Sequence, residues 1–199
     1  MGNMPFKPTK NINQSTINIR PTKIIFLDID GVLNNAKSDI SELFIIEKKL
    51  LQILKKVIIV TNAVLVLSST WRYTEETRNK VINFLKSENI PSFISCTPNL
   101  GINRTDEIIC WLQDNTDFNE GQLQDAVIET RTSIGEADLP HSLYTLKNQM
   151  HVTHWIAIDD MDLTEQGNVV HIADRFIHVN KIVGLTEKDA DLAIALLNA

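Results

Sequence analysis

The sequence is short of cysteine, of long apolar runs and of basic charge. Cys96 and Cys110 are its two cysteines in 199 residues, which is too few for a disulfide framework and is typical of a reducing compartment. No stretch reaches the roughly 20 apolar residues that cross a bilayer. The net charge of −6 argues against broad, non-specific binding to nucleic acid. These absences predict a soluble, intracellular protein.

Length and composition predict one globular domain that contains two polar segments. The 199 residues, 43% of them hydrophobic, are enough for a single domain with a substantial core. Residues 1–20 are polar and rich in asparagine, and we expect a flexible lead-in there. Residues 114–149 are acidic and lack strong periodicity. We interpret them as an insertion before the fourth strand of a domain that spans residues 21–199.

Apolar runs and helical stripes alternate along this domain. The runs that predict buried strands lie at residues 24–27, 64–67, 93–96, 155–158 and 176–179. The predicted helices run from a cap at Ser41 to Asn62, from Thr74 to about Glu88, from a cap at Asn103 or Thr105, and from a cap at Thr186. This alternation predicts an α/β fold with a mainly parallel sheet in a three-layer sandwich.

Two of the helices carry stripes that predict their buried faces. The stripes are Leu43, Ile46, Leu50, Leu54 and Val57 in the first helix, and Leu192, Ala195 and Leu196 in the last. Steps of three and four residues place such side chains on one helix face. A rival interpretation takes residues 57–60 as a strand and Thr61 as a phosphate contact. The stripe that continues through Val57 favours the helix.

Two carboxylates follow the first predicted strand. Asp28 and Asp30 lie one residue apart after residues 24–27, and Gly31 permits a sharp turn there. Side chains alternate along extended backbone, so both acids lie on one side of it. Charge at the end of a buried strand is costly unless it binds something. A hard cation that takes oxygen ligands fits this pattern.

Polar residues also follow the second and fourth predicted strands. Ser68 opens the run that ends at Arg72, and Asp159 and Asp160 follow residues 155–158. In open α/β sheets, ligands bind beyond the carboxyl ends of the strands. The sequence therefore predicts that these residues meet Asp28 at one edge of the sheet.

Together, these segments resemble the haloacid dehalogenase-like (HAD) phosphatases. The resemblance lies in Asp28-Ile-Asp30-Gly after a hydrophobic strand, Ser68 after a second strand, and paired acids after a later one. It covers about residues 22–112 and 153–199, and it implies a Rossmann-like HAD sheet, Mg²⁺ and an aspartyl-phosphate intermediate. The run from Ser68 to Arg72 also resembles small HAD domains of nucleic-acid repair proteins.

The resemblance implies a role for each acid. Asp28 would be the nucleophile and a metal ligand. Asp30 would act as general acid and then base, and its backbone carbonyl would also bind the metal. Asp160 would be a direct metal ligand, and Asp159 would act on the metal through water or hydrogen bonds.

The resemblance also implies residues that bind the phosphate. The Ser68 hydroxyl and the Ser69 backbone N–H would hold a phosphate oxygen. Arg72 would reach the substrate, or else would be an ordinary surface charge. The family's third motif requires a cation, for which Arg104 and Lys147 are both candidates; we prefer Arg104.

The absence of room for a large cap bears on the substrate. Residues 34–64 contain only one loop and one helix, and an uncapped site admits bulky substrates. The acidic balance favours a phosphoprotein over nucleic acid, and Trp71 would stack on the ring of a phosphotyrosine. The alternatives are a polynucleotide end, a small metabolite if residues 114–149 cover the site, and a phosphopeptide-binding module on a HAD scaffold.

Overall fold

The fold is a parallel sheet with helices on both faces. The computed structural model describes residues 22–34, 45–101, 103–116, 150–167 and 172–199. Five strands pair in parallel in the order β3-β2-β1-β4-β5. They are β1 (Thr22–Leu27), β2 (Val64–Leu67), β3 (Ser95–Cys96), β4 (Val152–Asp159) and β5 (Phe176–His178). The predicted fold class is confirmed.

Within the described ranges, four α-helices connect or follow these strands. They are α1 (Lys48–Thr61), α2 (Glu75–Ser87), α3 (Arg104–Asn115) and α4 (Glu187–Asn198). The Thr74 and Thr186 side chains accept hydrogen bonds from the first turns of α2 and α4, as expected for N-caps. Asn62 ends α1 with φ +56°, in the left-handed region that asparagine tolerates. No helix in the described part of the chain is long and apolar enough to cross a membrane.

The alternating side chains of β1 build two cores. Ile25 and Leu27 lie in one cluster with the buried sides of α1, α2 and α4. Ile24 and Phe26 lie in the other cluster with α3, where Phe26 meets Trp111 edge-on at 5.4 Å between ring centroids. Apolar side chains on both faces of β1 therefore fix the three layers.

Two helix predictions are wrong in detail. The first helix begins at Lys48, after Glu47 in extended conformation, and Ser41 and Leu43 lie outside the described residues. Ile46 is buried but lies before the helix, because an apolar residue can reach the core from a loop. In α4 the buried side chains are Ala190, Ala193 and Leu197. Of the predicted stripe, Leu196 is partly buried against the core, whereas Leu192 is 47% exposed and Ala195 is also exposed.

Three smaller expectations also have outcomes. The rival strand at residues 57–60 is wrong, because these residues lie in α1 and the Thr61 hydroxyl donates to the Val57 carbonyl oxygen at 2.7 Å. β3 is shorter than predicted. The predicted lead-in and residues 117–149 lie outside the described residues. At the margins of that second segment, α3 continues to Asn115, and the Met150 N–H donates to the Asn115 carbonyl oxygen at 2.8 Å.

Candidate active site

The ends of the central strands lie at one level, which brings the predicted residues together. Leu27 is in register with Leu67 on one side and with Ile158 on the other. The ladder continues one residue further, since Asp28 N–H donates to the Ile158 carbonyl oxygen (3.0 Å) and Ser68 N–H donates to that of Leu27 (2.8 Å). Side chains that leave the sheet here therefore share one edge.

Three carboxylates gather at this edge. Asp28, Asp159 and Asp160 each offer an oxygen, and these oxygens lie within 4.8 Å of one another. Asp28 and Asp159 are 5% and 2% exposed, whereas Asp160 is half-buried. Oxygen donors this close fit a small, hard divalent cation, which Mg²⁺ is. The acids fit the cofactor that the sequence predicted.

Arg104 lies among these acids. Arg104 is the first residue of α3. Its Nη1 lies 2.9 Å from Oδ2 of Asp159 and 3.3 Å from Oδ1 of Asp28. Its side chain is buried, so the charge is only weakly screened by water. The position suits the third-motif cation, for which the sequence favoured Arg104. Lys147, the alternative, lies outside the described residues.

The pKa values of the three acids reflect this crowding. Burial and the charge of Asp159 raise the pKa of Asp28, and Arg104 offsets part of the effect. Burial also raises the pKa of Asp159, and burial together with the Asp159 charge raises the pKa of Asp160. A bound divalent cation would oppose these shifts, because it favours the charged form of its ligands.

Glycine at position 31 lets Asp160 pack against the β1 loop. Gly31 has φ +71°, and a Cβ built there would lie 2.6 Å from Cγ of Asp160. Any other residue would be strained by its backbone conformation and would push that carboxylate away. Gly31 therefore brings the fourth-strand acid close to the first-strand loop.

Asp30 has an exposed carboxylate that two N–H donors orient. The Trp71 indole N–H lies 3.0 Å from both carboxylate oxygens, and the Asn34 amide donates to Oδ1 at 3.0 Å. Asn34 also accepts a hydrogen bond from Gly31 N–H at 2.8 Å. Sequence reasoning missed both donors. Trp71 is 3% exposed, so the expectation that it stacks on a phosphotyrosine ring is wrong.

The two serines after β2 have different surroundings. The Ser69 hydroxyl lies close enough to Asp28 to oppose the rise that burial causes in the pKa of that carboxyl. The Ser69 hydroxyl oxygen accepts a hydrogen bond from the backbone N–H of Trp71 at 3.4 Å. The Ser68 hydroxyl instead accepts a hydrogen bond from Thr97 at 3.4 Å. The hydroxyl that contacts Asp28 is thus Ser69, one residue beyond the one expected to hold phosphate.

Arg72 lies behind the site and is neither exposed nor available to substrate. It is 1% exposed, and its Nη2 lies 2.6 Å from Oε2 of buried Glu107. Its guanidinium also donates to the carbonyl oxygens of Ser69 (2.8 Å) and Pro98 (3.3 Å). Both earlier interpretations, a substrate contact and a surface charge, disagree with these contacts. The same Glu107 oxygen lies 4.0 Å from Nε of Arg104, so Glu107 links the two arginines.

A cavity of about 470 Å³ opens beside Asp160, away from β2. Asp160, His178, Val179, Asn180 and Lys181 line it. The His178 Nε2 lies 3.0 Å from the backbone oxygen of Asp160, which ties the end of β5 to the end of β4. The acids thus have filled space on the β2 side and open space on the β5 side.

Comparison with known proteins assigns this chain to a family. The sequence profile of a family described as the HAD domain in Swiss Army Knife RNA repair proteins matches residues 24–135, more than half of the chain. The chain belongs to this family, and so to the HAD superfamily of phosphatase-type hydrolases. No curated protein and no solved structure matches it. The matched range contains Asp28, Asp30 and Arg104, and the fold adds Asp159 and Asp160 from beyond it.

Proposed function

We propose that this HAD-family protein removes a terminal phosphate from a polynucleotide, with Mg²⁺ as cofactor and Asp28 as nucleophile. The observation that carries this proposal is the cluster of Asp28, Asp159 and Asp160 at the edge of the sheet, with Arg104 paired to the first two. Carboxylates buried at this density are costly unless a cation and an anionic substrate use them. A phosphoryl-transfer site needs both.

Asp28, Asp160 and Asp159 are the residues that would hold Mg²⁺, together with the Asp30 backbone carbonyl that the HAD resemblance implies. When bound, the ion supplies positive charge that offsets the charge of the phosphate and of its ligands. Arg104 supplies a second positive charge on the α3 side. The Ser69 hydroxyl lies close to Asp28, and we expect it to donate to a phosphate oxygen that binds beside that carboxylate.

The proposed reaction has two steps. First, an Asp28 carboxylate oxygen attacks phosphorus and forms an acyl phosphate, while the P–O bond to the leaving group breaks and that oxygen takes the proton of Asp30. Second, Asp30 takes a proton from water, and the resulting hydroxide attacks phosphorus. The bond to Asp28 breaks, inorganic phosphate leaves, and both aspartates return to their starting state.

The positions of the hydrogen-bond donors support this division of roles. Asp28 is buried and lies beside Arg104, where a nucleophile is held and desolvated. Asp30 is exposed and is oriented by Trp71 and Asn34. An oriented carboxyl at the solvent side suits proton exchange with a leaving group and then with water.

The family and the structure favour a polynucleotide over the phosphoprotein preferred from sequence. The family is described by its occurrence in RNA repair proteins. The specific argument for phosphotyrosine was stacking on Trp71, which is buried and donates to Asp30 instead. The net charge of −6 still opposes non-specific nucleic-acid binding. A polynucleotide would therefore be held by local contacts near its end.

A substrate panel tests the proposal. The purified protein is assayed for Mg²⁺-dependent phosphate release from p-nitrophenyl phosphate, oligonucleotides phosphorylated at the 5′ or 3′ end, and phosphotyrosine and phosphoserine peptides. We expect turnover of p-nitrophenyl phosphate and of one oligonucleotide class, abolished in Asp28→Asn. Asp191→Asn is the matched control, because that acid of α4 is exposed and its ion pair with Lys56 lies on the surface.

Two outcomes would count against the proposal. Turnover of the peptides but not of the oligonucleotides would make the phosphoprotein preference correct. Absence of Mg²⁺-dependent turnover of every substrate, with binding of phosphopeptide retained, would point to a binding module on a HAD scaffold.

A further inference from the structure

Two hydrogen-bond donors in the cavity beside Asp160, the side chains of Lys181 and Asn180, have no role in the proposed reaction. Lys181 forms no ion pair or hydrogen bond within the part of the chain that the structure describes, and its side chain is exposed. Asn180 accepts a hydrogen bond from Ile182 N–H at 3.0 Å through Oδ1, and its amide NH₂ has no partner among the described residues. Donors therefore line a cavity that adjoins an acidic cluster.

The cavity is also where a substrate has room to extend. On the β2 side of Asp28, the residues Ser68, Ser69 and Arg72 are all buried and packed together. On the β5 side, Asp160 is half-buried and forms one wall of the cavity. A volume of about 470 Å³ lies within the range of small-molecule sites, roughly 300–1,000 Å³.

The charge in the cavity selects an anion. Lys181 and Asp160 line the same cavity, so one cation and one carboxylate face it. Once a metal ion offsets the charge of Asp160, Lys181 is the cation that remains on the cavity wall. A lysine ammonium is a common phosphate ligand.

We infer that this cavity binds the phosphate that follows the terminal one in a polynucleotide, with Lys181 as the contacting cation. The inference rests on the proposed function, because it describes the leaving-group side of that reaction. It gives the protein a way to prefer a chain end over a mononucleotide without a basic surface. It also assigns Lys181, which lies outside the matched family range, to substrate specificity.

The test uses two dinucleotides phosphorylated at the end that the unaltered protein hydrolyses. One has a normal internucleotide phosphate and the other a neutral methylphosphonate at that position. We expect Lys181→Ala to lower kcat/KM for the first about fivefold and to leave the second and a nucleoside monophosphate unchanged. A plot of log kcat/KM against log salt concentration has a negative slope for the first dinucleotide. In Lys181→Ala this slope should be less negative by about 0.7, the value for one phosphate contact to a single strand.

Lys86→Ala is the matched control, because Lys86 is an exposed lysine in the last turn of α2, where the chain returns to the opposite edge of the sheet. Unchanged turnover of p-nitrophenyl phosphate shows that Lys181→Ala is folded. Equal losses on both dinucleotides, or a result that matches Lys86→Ala, would overturn the inference alone. Failure of the unaltered protein to hydrolyse any phosphorylated oligonucleotide would overturn the proposed function and this inference with it.

Discussion

Replacing Glu107 by glutamine tests whether the buried carboxylate that pairs with Arg72 supports the site from behind. Glu107 is buried, lies 2.6 Å from Arg72 and 4.0 Å from Arg104, and accepts Leu100 N–H at 3.0 Å. Glutamine keeps the shape and can still accept the Leu100 hydrogen bond, but it removes the charge. Arg72 then loses its carboxylate partner in the described structure, while Arg104 keeps two aspartates.

The size of the effect follows from burial. Removing one partner of a buried ion pair costs about 3–5 kcal/mol, because the other charge stays buried without compensation. We expect Glu107→Gln to lower the free energy of unfolding by about 3 kcal/mol, the lower end, since the amide retains one hydrogen bond. Activity should fall about 10- to 100-fold, as is usual when a supporting side chain behind a site is lost.

Chemical denaturation and phosphatase assays below the unfolding transition measure the two effects. Asp106→Asn is the control, because it removes a neighbouring negative charge from the same first turn of α3 and so has a similar effect on the helix dipole. In the double variant with Arg72→Met, part of the stability should return, because no arginine is then left unpaired. If Glu107→Gln unfolds at the same denaturant concentration as Asp106→Asn, the reasoning is refuted.

Two further predictions concern Asp30 and the metal ligands. Trp71→Phe removes the indole N–H that donates to Asp30 and keeps an aromatic ring in the core. We expect about a tenfold fall in kcat and an altered pH–rate profile. An unchanged profile would contradict a positioning role for Trp71. Without metal, the pKa of Asp28 is higher in the folded state than its ordinary value of 3.8. The unfolded state therefore loses this proton at a lower pH than the folded state does. As the pH rises above 3.8, Asp28 makes the free energy of unfolding fall. Mg²⁺ binds the charged form, so the increase in Tm on adding Mg²⁺ should be larger at about pH 8 than at about pH 5; an increase that does not depend on pH would contradict the carboxylate site.

The acids of the site could be predicted because they follow strands that the sequence marks clearly. The residues before Asp28 and before Asp159 are apolar on both faces, and a parallel sheet places the ends of such strands at one edge. The position of each acid directly after its strand, together with the register of the sheet, was enough to predict that the acids lie close together. Little tertiary detail was needed to bring these acids together.

The supporting residues could not be predicted, because their roles depend on packing between distant segments. Trp71 meets Asp30 across 41 residues of sequence, and Glu107 meets Arg72 across 35. Arg72 follows a strand just as Ser68 does, yet its side chain turns into the protein to meet Glu107. A charged residue near a strand end thus indicates a site region without showing whether the side chain faces the ligand.

The helix errors have a related cause. Leu192 was expected in the core because it is apolar, but the buried positions of α4 are Ala190 and Ala193. These alanines lie in one cluster with Leu50 and Leu54 of α1, where small side chains let a helix approach closely. Apolarity indicates that a residue tolerates burial, and the packing distance decides which apolar face is buried.

The balance of charge at the edge of the sheet links the cofactor to the substrate. Asp28 and Asp159 pair with Arg104, the one buried cation at this edge among the described residues. Asp30 and Asp160 add two more carboxylates after the same strands. Two unit charges 4 Å apart interact by about 4 kcal/mol at an effective dielectric constant near 20, so a phosphate dianion brought to the acids alone would be strongly repelled. A divalent cation reverses the sign of that interaction. Mg²⁺ and the phosphate should therefore bind cooperatively, each site being completed by the charge of the other.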